Sequence, residues 1–187
     1  MNDIISTAVI SAFAAVVTAL SLGILHYFLP TRTEKLSKQR SAALIASHLE
    51  RFAIDCADLL QRYENYIRSN GSTTDVPNQI AKFEEFSDEI DLTSISAEHA
   101  SEALAIQNLV ILTQKSTSSY LDIVADYDDL QKMVMEFTAL LGNRSMKLGL
   151  EMRRSYGLPK PDYLKLVWNI EEYLSDAETE YCAKKER

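Results

Sequence analysis

The segment from Ile4 to Leu29 constrains the fold most, because its 26 residues contain no Asp, Glu, Lys or Arg. As an α-helix rising ~1.5 Å per residue it would be ~39 Å long, more than the ~30 Å hydrocarbon core of a bilayer. A cleaved signal peptide is disfavoured, because the segment has no basic start and its apolar run is too long. A buried core helix would be shorter and would carry a polar stripe. We therefore predict that residues 1–30 form a single transmembrane anchor of the signal-anchor type.

The charges that flank this segment predict its orientation. No Lys or Arg precedes it, whereas four bases follow it closely, opposed only by Glu34: Arg32, Lys35, Lys38 and Arg40. Positive residues next to a span stay on the cytoplasmic side. We therefore predict a single-pass protein of the inner (cytoplasmic) membrane, with its N-terminus outside and residues 31–187 in the cytoplasm. Two cysteines without a CxxC motif suit that reducing compartment.

Small side chains recur every fourth residue within the predicted span, forming one stripe: Thr7, Ser11, Ala15, Ala19 and Gly23. Two such helices can approach closely along a small-residue stripe, so it predicts a homo-oligomer formed through the span. The alternative is that the stripe arises by chance, since membrane helices are often rich in these residue types.

The net charge argues against nucleic acid as a partner. Lys and Arg total 19 and Asp and Glu total 27, which gives a formal charge of −8. Such an acidic balance opposes a broad electrostatic grip on phosphates. With 47% hydrophobic residues, 5 Gly and 4 Pro, the chain resembles a helix-rich globular protein rather than a disordered one.

Heptad-like spacing after Pro30 predicts an all-α domain over residues 31–187, an antiparallel bundle of about four helices. The first predicted helix covers about Thr33–Ser69, and its apolar seam is Ile45, Leu49, Phe52, Cys56, Leu59, Tyr63 and Tyr66. Three further helices are predicted: from Ser94 or Ser96 into 116–119, from about Asp129 to Tyr156, and from Asp162 towards the C-terminus. The last carries a second seam at Tyr163, Val167, Ile170, Leu174, Ala177 and Tyr181.

Two segments of this bundle stand out. The helix around Leu109 is apolar nearly all round, so we expect it to be the most buried helix of the domain. The connection over about 72–95 is long and acidic, with Ile80, Phe83 and Phe86 interleaved among the acids. It is interpreted either as a strap that packs these side chains onto the bundle or as a partner-binding loop, and the four-residue spacing favours the strap.

No motif identifies a reaction. There is no Glu-x-x-His pair for a di-iron site, no G-x-S-x-G elbow and no glycine-rich phosphate loop. Asp126, Asp128 and Asp129 suit a helix start better than a metal or general-base cluster. Four bases on the third predicted bundle helix form either a solvated face or an acidic-partner site: Arg144, Lys147, Arg153 and Arg154.

These observations favour a membrane-tethered helical interaction or scaffold protein, with the lipid bilayer and an unidentified protein as partners and with no cofactor. One alternative is a small membrane-acting effector, of the phage or toxin-system type, that works by oligomerisation. The other is a carboxylate-dependent enzyme at the cytoplasmic membrane face, against which the absence of catalytic motifs argues.

Overall fold

A computed structural model describes residues 2–72, 78–123, 126–162 and 169–183, and gives the backbone alone for 2–31, 121–123 and 183. The chain forms four α-helices there: α1 (Asn2–Arg68), α2 (Ala97–Ile123), α3 (Tyr127–Ser155) and α4 (Ile170–Ala183). A 3-10 turn at Leu92–Ser94 precedes α2, and the described residues contain no strand. The all-α prediction is confirmed.

The chain divides into two units, residues 1–38 and 39–187. In the first unit α1 stays helical through Pro30. Among the described residues, no helix is both long enough and apolar enough to cross a membrane. The segment Ile4–Leu29 and its small-residue stripe lie outside the residues whose side chains are described.

In the second unit, α1 from Gln39 onward runs antiparallel to α3. Gln39 donates a hydrogen bond to the carbonyl of Tyr156 at one end of the pair, and Cys56 lies against Gly142 further along. The predicted seam of α1 is confirmed in its apolar part, since Ile45, Leu49, Phe52, Cys56 and Leu59 are all buried.

Two glycines of α3 let these helices come unusually close. A Cβ atom on Gly142 would lie 2.8 Å from the Cβ of Cys56, and one on Gly149 would lie 3.2 Å from the carbonyl oxygen of Ala46. The first distance is too short for a Cβ atom, and the second would require its neighbour to shift by a few tenths of an ångström. Gly142 therefore serves packing, and α3 continues through it unbroken.

One ion pair is buried between α1 and α3. Glu50 is fully buried, and the Arg153 guanidinium donates to both of its carboxylate oxygens, over 2.5 Å and 2.8 Å. Arg153 also donates to the carbonyl of Pro159 at 3.1 Å, just past the end of α3. The paired charges thus fix α1, α3 and the following turn to one another.

The connection before α2 is a packed strap over its described residues, 78–96. Ile80, Phe83 and Ile90 are buried, and the Phe83 ring meets Phe52 of α1 edge-on at 5.2 Å. An exposed ion pair between Arg51 and Glu84 also links it to α1. The strap interpretation is confirmed for these residues.

The helix starts agree with the sequence in part. Asp126 caps α3, its carboxylate accepting from the backbone N–H groups of Asp128 and Asp129, as the acidic cluster predicted. α4 is described from Ile170, with Asn169 in the cap position, and residues 163–168, which follow the expected start at Asp162, lie outside the described residues. Its predicted seam residues Ile170, Leu174 and Ala177 are buried, whereas Tyr163 and Val167 lie outside the described residues.

The prediction that α2 is the most buried helix is wrong. Its buried residues follow one narrow line, Ala103, Ile106, Val110, Thr113 and Thr117, which faces the bundle. Leu109, expected at the centre of the core, is 36% exposed. Because α2 is apolar beyond the arc that its neighbours cover, several of its large side chains face solvent.

Candidate functional site

Four large apolar side chains of α2 are exposed and form what we call the α2 face. Leu112 is 60% exposed, Leu104 39%, Ile111 37% and Leu109 36%. Successive helical residues are ~100° apart, which places these four in one continuous arc opposite the buried line of α2. Exposed apolar residues scattered singly are ordinary, but a contiguous patch on one helix is typical of an interaction surface.

Between Leu104 and Leu112 this arc contains one polar residue, Asn108, and polar residues continue the arc towards both ends of α2. Asn108 lies at its middle, Ser101 and Glu98 towards the start of α2, and Lys115 towards its end, all exposed. Within the described ranges, neither Glu98 nor Lys115 has an ion-pair partner. The neighbouring Glu102 lies 3.8 Å from Arg144 of α3. The α2 face therefore has an acidic and a basic end on either side of an apolar centre.

A groove runs along one side of the α2 face, between α2 and the strap. It has a volume of about 410 Å³, and Phe83, Glu85, Gln107, Ile111 and Gln114 are among its lining residues. Ile111 belongs to both the groove and the face, so the apolar surface continues into a concave region. Such a shape can accept side chains from another helix.

A second cluster joins the start of α2 to the end of α3. Nδ1 of His99 lies 2.9 Å from Oγ of Ser96 and 3.3 Å from the hydroxyl of Tyr156, and its Nε2 lies 4.0 Å from Glu151. The Tyr156 hydroxyl also accepts from the backbone N–H of Ser96 at 2.8 Å.

A serine, a histidine and a glutamate in contact resemble a hydrolase triad in composition, but the hydrogen bonds here serve helix capping. Ser96 Oγ accepts from the backbone N–H of His99, which is how a serine at this position caps a helix. The cluster therefore fixes where α2 begins. Sequence reasoning offered Ser96 as a cap and missed the role of His99, although the Ser-x-x-His spacing was visible.

Tyrosines gather where α1 and α4 meet. The Tyr173 hydroxyl donates to a carboxylate oxygen of Glu64 at 2.8 Å. Burial, followed by that hydrogen bond, raises the pKa of Tyr173 well above its ordinary value, and burial above all raises the pKa of Tyr181 to about 12. Both shifts keep the hydroxyl groups protonated near neutral pH, so neither tyrosine is poised as a general base.

The structure divides the predicted basic face of α3 among several partners. Arg144 lies beside Glu102 of α2, Lys147 lies 3.9 Å from Glu178 of α4, and Arg153 pairs with Glu50 of α1. Arg154 is exposed. Because acids from three helices neutralise three of the four bases, they do not form one anion-binding surface.

The predicted juxtamembrane bases are exposed or partly exposed. Arg32 and Lys35 face solvent, and Lys38 bonds to Glu34 at 2.6 Å, which lowers the pKa of that carboxyl. Arg40 lies 3.7 Å from Glu89 of the strap.

Metal-binding side chains do not cluster in the described part of the chain: no three of His, Cys, Asp and Glu are placed to hold an ion together. Cys56 is buried, and burial raises the pKa of its thiol well above the ordinary value, so it serves as a small apolar core residue. Among the features described above, the α2 face brings four exposed large apolar side chains together on one helix, and the packing of the domain does not cover them. Comparison with protein families, with characterised proteins and with solved structures finds no match for this chain.

Proposed function

We propose that this protein is a membrane-tethered helical interaction module, which holds a partner through the α2 face. The observation that carries the proposal is the exposure of Leu104, Leu109, Ile111 and Leu112 on a single helix. Removing apolar surface from water contributes about 25 cal/mol per Å², so a partner that covers this patch gains several kcal/mol before the cost of association.

The rest of the second unit suits a rigid support for that surface. The glycine contacts between α1 and α3, the Glu50–Arg153 pair and the His99 cluster all fix the helices behind α2. A docking helix held by such a scaffold loses little conformational entropy when a partner binds, which favours affinity.

The tether is proposed on the sequence of Ile4–Leu29, with the four bases from Arg32 to Arg40 favouring a cytoplasmic position for the domain. Confinement to a membrane raises the effective concentration of the α2 face towards any partner in the same bilayer. A small apolar patch can then be sufficient for binding.

A second candidate is an effector that acts by oligomerising in the membrane. The stripe from Thr7 to Gly23 favours it, because small residues along a span permit close helix contacts. The two proposals differ in what assembles: a module forms a complex of fixed stoichiometry through α2, whereas an effector forms larger assemblies through the span.

The experiment places a photo-activated cross-linking amino acid at position 112 of the full chain in its native cells. We expect a discrete cross-linked product, whatever the identity of the second molecule. The same amino acid at Ile67 is the matched control, because Ile67 is 57% exposed on α1, where its neighbours across the surface belong to α3 and α4. If position 112 gives no more product than position 67, the α2 face is not an interaction surface and the proposal fails.

A further inference from the structure

Several residues on the solvent-facing side of α2 lie symmetrically about Asn108, although Leu109 has Gln107 as its counterpart and Ala105 is partly buried. Leu104 and Ala105 lie four and three positions before it, and Ile111 and Leu112 lie three and four positions after it. Ser101 and Lys115 stand seven positions away on either side. An antiparallel pair of identical helices centred on Asn108 would therefore bring Leu112 of each against Leu104 of the other, and Ile111 against Ala105.

Asn108 is suited to the centre of such a pair. Its amide both donates and accepts hydrogen bonds, so two copies related by a two-fold axis can satisfy each other. A single asparagine in an otherwise apolar helix seam is also a known means of fixing register and orientation. A leucine at this position would give more apolar contact but would allow neighbouring registers.

Charge favours the antiparallel arrangement over a parallel one. In the antiparallel pair, Lys115 of one copy lies level with Ser101 of the other, within one turn of the exposed Glu98. In a parallel pair, Lys115 would lie beside its own equivalent, and so would Glu98. The helix dipoles also point in opposite directions, which is the favourable arrangement, only in the antiparallel pair.

We infer that the occupant of the α2 face is the α2 face of a second copy, packed antiparallel about a two-fold axis at Asn108. This inference rests on the proposed function and names its partner. The apolar patch is on the order of a few hundred Å², below the ~800 Å² per partner of a standard stable interface. The dimer is therefore weak in dilute solution and is strengthened when both copies share a membrane.

The test uses single cysteines in the full chain, reconstituted in lipid vesicles and treated with a short bis-maleimide. The background carries Cys182→Ser and keeps Cys56, whose buried thiol does not react. With Asn108→Cys, the two thiols lie side by side across the axis, and we expect cross-linking about tenfold faster than for the exposed control Ile67→Cys.

Two further variants report the orientation. In Ser101→Cys, the equivalent thiols of an antiparallel pair are ~21 Å apart along the helix axis and should not cross-link above the control rate. A mixture of Ser101→Cys copies with Lys115→Cys copies should cross-link readily. All these positions are exposed, so the substitutions leave the core intact.

Two results would overturn the inference. Equally fast cross-linking of Asn108→Cys and Ser101→Cys, each to itself, would indicate a parallel pair. No reaction above the Ile67→Cys rate, both for Asn108→Cys and for the mixture of Ser101→Cys with Lys115→Cys, which keeps Asn108, would indicate no α2 dimer. A cross-link from position 112 to a different protein in cells, together with a negative result here, would leave the proposed function standing and exclude a second copy as the partner.

Discussion

The buried pair of Glu50 and Arg153 makes the sharpest stability prediction. Glu50 is fully buried, and its two carboxylate oxygens accept hydrogen bonds from the Arg153 guanidinium at 2.5 Å and 2.8 Å. Arg153→Met would keep most of the apolar stem but would leave a buried carboxylate without its counter-charge. We expect this to destabilise the domain by about 3–5 kcal/mol.

A double variant distinguishes the loss of one partner of the ion pair from the loss of the whole pair. Glu50→Met with Arg153→Met removes both charges and keeps two unbranched side chains. An unbranched side chain is needed at position 50 because the site is narrow: a Cβ on Gly149 would lie only 3.0 Å from the Glu50 Cγ. Replacing a whole buried ion pair by apolar residues is often neutral or stabilising. We therefore expect the double variant to recover most of the stability that Arg153→Met loses.

The assay is urea unfolding followed by far-UV circular dichroism, on a fragment that begins at Thr33. The unit over 39–187 is compact, and we expect this fragment to unfold cooperatively. The control is Arg51→Met, which removes an exposed pair with Glu84 and should cost no more than ~1 kcal/mol. Equal losses for Arg153→Met and Arg51→Met, or a double variant as unstable as the single one, would refute the reasoning.

Four other results are expected. Ile106→Ala, on the buried line of α2, should cost ~2–5 kcal/mol, whereas exposed Leu109→Ala should cost about 1 kcal/mol or less in the same assay. Because the pKa of Tyr181 is raised from 10.0 to about 12 in the folded protein, its contribution to stability is complete below pH 10 and is lost as the pH rises towards 12. Tyr181→Phe should reduce this alkaline loss in pH-dependent urea unfolding, and Tyr127→Phe, at an exposed position, should not. A reporter active only outside the cytoplasm should stay silent after Arg187, and changing Arg32, Lys35, Lys38 and Arg40 to Glu should weaken that preference. Replacing Ala15, Ala19 and Gly23 by Leu should abolish span-driven association in a membrane two-hybrid assay, and an unchanged signal would show that the stripe is accidental.

Much of the bundle could be predicted because its periodicity is a direct consequence of one-sided burial. The seam from Ile45 to Leu59 follows the heptad spacing and is buried along its length. Asp126 could be assigned to a helix start because a carboxylate there satisfies free backbone N–H groups. Both predictions rest on residues close in sequence, where local geometry decides the outcome.

The contacts between distant elements were not predictable in the same way. A glycine within a helix ordinarily costs stability, so the sequence alone would indicate that Gly142 weakens α3. Its actual role depends on Cys56, 86 positions earlier, whose Cβ leaves no room for a side chain. Likewise, nothing in the sequence around Arg153 indicates that its partner is Glu50, a fully buried residue of α1.

The error on α2 has a physical cause that bears on function. Hydropathy measures how strongly a side chain prefers to leave water, and it does not say which surface will cover that side chain. Leu109 and Ile106 are equally apolar by this measure, yet only Ile106 lies on the line that the bundle covers. A helix that is apolar nearly all round is therefore consistent with two arrangements: one in which its own chain covers every side, and one in which part of its surface is left for another molecule. In the described fold part of the α2 surface faces solvent, so the residues that made the burial prediction wrong are the same ones on which the proposed interaction depends.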